Sequence, residues 1–217
     1  MAIIDYGVAR KAMVDTQIAV HSVVEPRLLS ALLTVPREQF VPEHREALAY
    51  SDAPHDIGSG RLLSSPVVFA RLAQLAAIGP DDQVLDIGCG SGYSCAILSR
   101  LAKSVIACES DKVLARIAGH NLNQMGASNV SVVTAEDDAL LAGPFDAIMI
   151  EGAVARVPGR YLDRLAMGGR LVAVVGEGVA GVATVWVRTP EGIVSRAHFN
   201  AKLPSLPVND VAEEFVF

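Results

Sequence analysis

Apolar residues change their spacing as the chain proceeds. Within residues 9–24, Met13, Val14 and Ile18 recur at helical spacing, which predicts a first helix. Pro26 suits the first turn of a second helix, where a missing amide hydrogen costs nothing, and the stripe that follows is Leu28, Leu29, Leu32 and Leu33. Pro36 and Pro42 bracket the short segment Arg37–Val41 and interrupt that pattern. Residues 43–64, with Asp52, Pro54, Gly58 and Gly60, read as an irregular loop. At Ser65-Pro66 a helix starts again, serine as N-cap and proline at the first helical position, and the pattern carries to about Ile78.

From Gly79 onward short apolar runs alternate with helical stripes. Gln83–Ile87 predicts a strand, Gly88–Gly92 a turn, Tyr93–Ala102 a helix and Val105–Cys108 a second strand. Asp111 caps a helix with Val113, Leu114, Ile117, Leu122 and Met125 on one face, closed by Gly126. Val130–Val133 and Phe145–Ile150 are the third and fourth strands, and a helix at about 158–166 ends at Gly168-Gly169 before the strand Arg170–Val175. Ala180–Arg188 and Ile193–Ala201 form a hairpin around Pro190-Glu191-Gly192. This alternation implies an α/β fold: a mostly parallel sheet with helices on both faces and an antiparallel edge. No internal repeat or low-complexity tract interrupts it.

Composition sharpens the class. Of 217 residues 51% are hydrophobic and 19% charged, enough apolar content to exclude disorder. The length suits one domain over 1–217, with residues 1–78 as an N-terminal helical cover and active-site loop and 79–217 as the ligand-binding sheet. Mean hydropathy of +0.37 raises the question of a membrane span. The longest run without Asp, Glu, Lys or Arg, Ile117–Ala135, contains His120, Asn121, Asn123, Gln124 and Asn129, too polar for one. Asp5 and Asp15 stand where a secretory signal would be basic and then apolar, so none is expected. The formal net charge of −6 argues against a generic phosphate-binding surface, hence against nucleic acid as partner. Arg156, Arg160, Arg164 and Arg170 cluster in sequence and read as a solvated face. Cys89, Cys95 and Cys108 form no C-x-x-C pair and suit reduced, buried thiols of a cytoplasmic protein, and the five scattered histidines offer no metal site.

The segment Asp86-Ile87-Gly88-Cys89-Gly90-Ser91-Gly92-Tyr93 sits where a strand meets a helix, the crevice in which such sheets bind ligands. Its glycines are two apart, and Tyr93 stands where a dinucleotide fingerprint needs its last glycine. That suits a cofactor with no pyrophosphate to seat: backbone approaches closely, and the Asp86 carboxylate meets an ammonium. Glu109, about 20 residues on at the end of the second strand, can accept hydrogen bonds from both ribose hydroxyls. Glu136 and Asp137, after the third strand, are placed for an adenine amino group. Acidic residues at three successive strand ends beside this turn fit S-adenosylmethionine. The bland alternative is a glycine turn with ordinary acidic helix caps.

The turn, Glu109 and Gly168-Gly169-Arg170-Leu171 resemble class I S-adenosylmethionine-dependent methyltransferases, which have a Rossmann-like fold. More specifically, Val35-Pro36-Arg37-Glu38-Gln39-Phe40-Val41-Pro42, Leu48-Ala49-Tyr50-Ser51-Asp52, Ile57-Gly58 and Ser64-Ser65-Pro66 resemble the protein-L-isoaspartate O-methyltransferase family, over roughly residues 12–206. The resemblance implies a seven-stranded sheet with an N-terminal helical addition over the cleft. It implies methylation of L-isoaspartyl carboxylates in damaged proteins, with S-adenosylhomocysteine as product and isoaspartyl proteins or peptides as partners. It gives Ser64 the catalytic role of orienting the acceptor carboxylate. With the spacing argument it assigns cofactor contacts to Leu63, Ser64, Asp86, Gly88, Gly90, Gly92, Glu109, Ser110, Glu136 and Asp137. No metal is implied.

The chain departs from the family in three places. Arg61-Leu62 replaces Gln-Thr before Leu63-Ser64, Ala135-Glu136-Asp137 replaces Gly-Asp-Gly, and Glu151 replaces a small residue after the fourth strand. A Glu151 side chain in the cleft would repel an acceptor carboxylate, whereas one at an exposed strand end would not. Two alternatives therefore stand beside the leading reading: methyl transfer to a different carboxylate or small molecule, and S-adenosylmethionine binding without catalysis.

Overall fold

The computed structural model describes residues 4–134, 141–176 and 180–206. Helix α1 (Tyr6–Ala12) continues into a π-helical turn, Met13–Ile18, and a 3-10 turn, Ala19–His21. Met13, Val14 and Ile18 are buried there as their spacing requires. Helix α2 (Pro26–Thr34) buries Leu28, Ala31 and Leu32 and leaves Leu33 exposed, because residues four apart share a face better than adjacent ones. Short 3-10 helices follow at Arg37–Phe40 and Glu43–Leu48.

The expected irregular loop contains a hairpin, β1 (His55–Gly58) and β2 (Arg61–Leu63). Runs so short show too little alternation to be recognised in a sequence. They are held by tertiary contact: His55 and Ile57 are buried while Asp56 and Gly58 are exposed. Helix α3 (Pro66–Ala76) starts as its sequence requires, with the Val68 amide donating to the Ser65 hydroxyl oxygen at 3.4 Å.

Strand β3 (Gln83–Ile87), α4 (Tyr93–Leu98), β4 (Ser104–Cys108), α5 (Lys112–Gln124), β5 (Val130–Val133), β6 (Phe145–Val154), α6 (Gly159–Asp163), β7 (Leu165–Val175), β8 (Gly181–Thr189) and β9 (Gly192–Ala201) complete the described fold. The seven-stranded sheet runs β5-β4-β3-β6-β7-β8-β9; β5, β4, β3, β6 and β7 are parallel, and β8 and β9 form the antiparallel edge. Asp111 caps α5 through its carboxylate, which accepts from the amides of Val113 and Leu114 at 2.8 and 2.9 Å. Val113 and Ile117 of the anticipated stripe are exposed, and the buried face is Leu114, Ala118 and Leu122.

Both faces of the central strands are buried, and the two-residue period divides them. Ala147, Met149, Val172 and Val174 join the core shared with α1 to α5, while Ile148, Ile150, Leu171 and Ala173 face the core that contains Tyr161 of α6. Arg170 is not part of a solvated face: it bridges to Asp82 at 2.5 Å and donates to the Asp146 carbonyl, fastening β7 to the neighbouring turn. Among the described residues no helix is long and apolar enough to cross a membrane.

Candidate functional site

Strand order reverses direction at β3: β4 and β5 lie on one side of it, β6 and β7 on the other. Such a switch point leaves a crevice beyond the carboxyl ends of the strands. Register fixes what meets there. Ile87 pairs with Cys108 on one side and Ile150 on the other, so the next residues, Glu109, Gly88 and Glu151, form a row across three adjacent strands, where β3 and β4 end and β6 continues to Val154. Between Met149 and Ala153 the β6–β7 register breaks, a bulge that contains Glu151 and Gly152.

Asp86 is fully buried, on the face of β3 that meets α4. Its Oδ2 accepts from the Ser94 hydroxyl at 2.5 Å and the Cys95 thiol at 2.9 Å, while Oδ1 is buried with no hydrogen-bond partner. Burial pushes this carboxyl up to about 6, against the opposing pull of the Cys95 and Ser94 hydrogen bonds. Burial also pushes up the Cys95 thiol, and raises Cys108 to about 12. All three cysteines are buried and unpaired with one another as disulfides.

The turn after β3 places Gly88 and Gly90 at φ of +77° and +56°, a left-handed conformation that a side chain disfavours. Side chains from elsewhere lie on both. A Cβ on Gly88 would come within 2.7 Å of Leu206 Cδ2, and one on Gly90 within 2.7 Å of Ile57 Cδ1. Gly92 differs: its Cβ position faces Ala118 and Leu122 of α5, so this glycine serves the packing of α4 against α5.

Glu109 is fully buried. Oε2 accepts from the Gly90 amide at 2.8 Å and Oε1 from the Asp111 amide at 3.1 Å. Arg61 of β2 donates through Nη1 to both oxygens, at 2.9 and 3.2 Å, and through Nη2 to the Gly88 carbonyl at 2.8 Å. Glu151 extends the row: its Oε1 is buried without a hydrogen-bond partner. Burial and the nearby Asp86 carboxylate hold the Glu151 carboxyl well above its usual range, while Arg61 and Arg37 pull it down.

Ser64 is buried at the end of the hairpin, and Ser65 takes the capping role. The Ser64 carbonyl accepts from Arg37 Nη2 at 2.6 Å, and Arg37 Nε donates to the Ala49 carbonyl at 2.8 Å. The Arg37 guanidinium also lies over the Tyr93 ring, 4.7 Å from its centre, so α4, the N-terminal cover and the Ser64 loop meet on one buried cation. The Ser91 hydroxyl donates to the Phe40 carbonyl at 2.7 Å, a second tie between cover and turn.

The structure thus brings Asp86, Gly88, Gly90 and Glu109 to one crevice, with Ser64 tied to α4 through Arg37 and Leu63 beside it. Ser110 is exposed at the end of β4, and Glu136 and Asp137 lie outside the described residues. Arg37, Ile57 and Leu206 also belong to this neighbourhood, brought there by tertiary contact. Arg37 and Ile57 stand within the family motifs Val35–Pro42 and Ile57-Gly58 without a role attached, and Leu206 leaves no signal in the sequence.

A family model described as Protein-L-isoaspartate(D-aspartate) O-methyltransferase matches residues 8–202. A protein-L-isoaspartate O-methyltransferase of Protochlamydia amoebophila is 42% identical over 166 residues, 76% of this chain and 79% of its own. A Syntrophobacter fumaroxidans relative, named protein-L-isoaspartate O-methyltransferase 1, is 36% identical over 196 residues, 88% and 90% of the two chains. Among solved structures, a Plasmodium falciparum protein described as a putative protein-L-isoaspartate O-methyltransferase in complex with S-adenosyl-L-homocysteine is similar in fold. Its TM-score is 0.78 at 22% identity, over 92% of this chain and 99% of that one.

Proposed function

Since the chain belongs to the protein-L-isoaspartate(D-aspartate) O-methyltransferase family, we infer that it methylates the free carboxylate of L-isoaspartyl residues in damaged proteins, with S-adenosylmethionine as methyl donor. The observation that carries this reading is the extent of the match: residues 8–202 include the N-terminal cover, the Ser64 loop and the glycine turn together.

The residues present fit the cofactor. Asp86 has a buried oxygen without a hydrogen-bond partner, suited to an ammonium group. Gly88 and Gly90 are covered by movable side chains, Leu206 and Ile57, rather than by backbone, so a ligand can take that space when those side chains shift. Glu109, held in place by two amides, suits a ribose diol on the side that Arg61 covers. We assign Leu63, Ser64, Gly92 and Ser110 to the walls of this site and Glu136 or Asp137 to the adenine.

When bound, S-adenosylmethionine supplies a sulfonium methyl, which a carboxylate oxygen takes with its lone pair, leaving S-adenosylhomocysteine. An acceptor carboxylate is ionised at neutral pH, so the protein need supply no general base. Its contribution is alignment and selective binding. Ser64, fixed through its carbonyl by Arg37, has the proposed catalytic role of orienting the acceptor. Glu151 does not oppose an anionic acceptor, because burial favours its neutral form.

We propose one domain, because a continuous core joins residues 13–78 to the sheet. We propose a reducing compartment, the cytoplasm, which suits three buried free thiols.

The test is methyl transfer from labelled S-adenosylmethionine to an isoaspartyl peptide and to its aspartyl twin. Transfer to the isoaspartyl peptide alone supports the reading. Cofactor binding with no transfer to it refutes the acceptor and leaves a different substrate or a binding protein. Ser64→Ala is expected to lower kcat by about 10²-fold, the loss expected when a reacting group is misplaced by about 1 Å, with little change in S-adenosylhomocysteine affinity by calorimetry.

A further inference from the structure

Arg61 stands over the row of Glu109, Gly88 and Glu151 across three adjacent strands and engages only two of them. Nη1 spans the Glu109 carboxylate and Nη2 takes the Gly88 carbonyl. The next position in the row is Glu151, one strand farther along because Ile87 pairs with Ile150. Neighbouring strands are about 4.8 Å apart, so Glu151 lies one spacing from the Gly88 carbonyl that Nη2 already holds and two, about 10 Å, from Glu109; a long arginine side chain covers this by changing rotamers.

The two carboxylates differ in how they are satisfied. Glu109 already has the Gly90 and Asp111 amides, and Arg61 covers its remaining accepting side. Glu151 keeps a buried Oε1 with no hydrogen-bond partner. A ribose diol can reach Glu109 only where Arg61 now lies. A displaced guanidinium left unpaired where its side chain is only 14% exposed is strongly unfavourable. Glu151 offers the compensating partner: neutral while Arg61 rests on Glu109, it releases its proton to solvent when the guanidinium arrives and pairs with it as the carboxylate.

We propose that Arg61 is a specificity-determining residue with two carboxylate partners, resting on Glu109 in the free protein and moving to Glu151 when the S-adenosyl ribose takes Glu109, from where it binds the acceptor carboxylate. A guanidinium has five N–H donors on more than one edge, so one edge serves Glu151 while another faces the acceptor. The consequence is order: the anion-binding group for the acceptor is released only after the cofactor has arrived. The acceptor arm rests on the isoaspartyl reading; the exchange between carboxylates does not.

The experiment is a double-mutant cycle read by calorimetry with S-adenosylhomocysteine on wild type, Arg61→Gln, Glu151→Gln and the double variant, each checked for folding by thermal unfolding. Arg61→Gln is expected to bind S-adenosylhomocysteine at least as tightly as wild type, since no ion pair has to be broken. Glu151→Gln alone is expected to weaken binding about tenfold and, on top of Arg61→Gln, less than about twofold, a coupling of the size usual for contacting residues. Equal effects of Glu151→Gln in both backgrounds would overturn the exchange.

The acceptor arm is read from KM against kcat with the isoaspartyl peptide. Arg61→Gln is expected to raise KM about tenfold or more with kcat far less changed, and Arg61→Lys to restore part of the loss. An unchanged KM would overturn acceptor binding by Arg61. If wild type binds S-adenosylhomocysteine but does not methylate the peptide, the isoaspartyl reading fails, while the binding cycle still decides the exchange.

Discussion

Asp86 carries opposed requirements. Its carboxyl is raised to about 6 by burial, so the folded chain binds that proton more tightly than the unfolded chain does. The stability it contributes is complete below pH 4 and is lost as pH rises through about 6. Asp86→Asn removes the penalty of ionisation. Relative to wild type its Tm is expected to gain between pH 4 and 7, while its affinity for S-adenosylhomocysteine falls about tenfold for want of an anion facing the ammonium. Thermal unfolding across pH and calorimetry at pH 7.5 check the two halves. A Tm difference independent of pH would contradict the assignment. Arg37 presents a buried cation: its guanidinium satisfies the carbonyls of Ala49 and Ser64. Arg37→Met leaves both carbonyls without that donor, and urea unfolding is expected to show a loss of about 2–5 kcal/mol. Lysine is a poor substitute, because one ammonium does not reproduce a planar fork.

At the scale of elements, the connection from β3 to α4 is the part most legible in the sequence. A carboxylate, then glycines two apart, then a helical stripe specify strand, turn and helix by local rules alone. What they leave open is what each glycine answers to. Gly88 and Gly90 underlie movable side chains, Leu206 and Ile57, whereas Gly92 lies 3.2 Å from the Ala118 backbone as measured to a Cβ placed on it. Gly92→Ala is therefore expected to cost about 1–3 kcal/mol through strain and overpacking. Gly90→Ala is expected to lower S-adenosylhomocysteine affinity more than stability. Chemical unfolding and calorimetry on both variants distinguish the two roles. The hairpin of β1 and β2 was illegible for the opposite reason: its four and three residues carry little pattern, and its pairing depends on the glycine turn it packs against.

In the molecule as a whole, segments distant in sequence close over the strand ends. The chain at Pro204–Leu206 exchanges hydrogen bonds with Ala153 at 2.8 Å in both directions, and Leu206 lies on Gly88 and Gly152. Leu206→Ala is expected to cost about 2 kcal/mol, the low end for a buried leucine, and to raise the association rate of S-adenosylhomocysteine by uncovering the turn. Stopped-flow binding is the measurement, and an unchanged rate would show that this side chain does not limit entry.

The sequence by itself determined the alternation of strands and helices, the caps at Ser65 and Asp111, and the acidic residues at strand ends, because those follow from local periodicity and backbone chemistry. It also carried the family, through motifs long enough to be specific. Only the tertiary structure decided that Glu109, Gly88 and Glu151 occupy one row with Arg61 on it, that Arg37 holds the Ser64 loop, and that the half-buried Glu151 keeps one carboxylate oxygen out of solvent. Those relations arise from strand register and from the packing of residues far apart in the chain, and neither leaves a periodic trace in the order of amino acids.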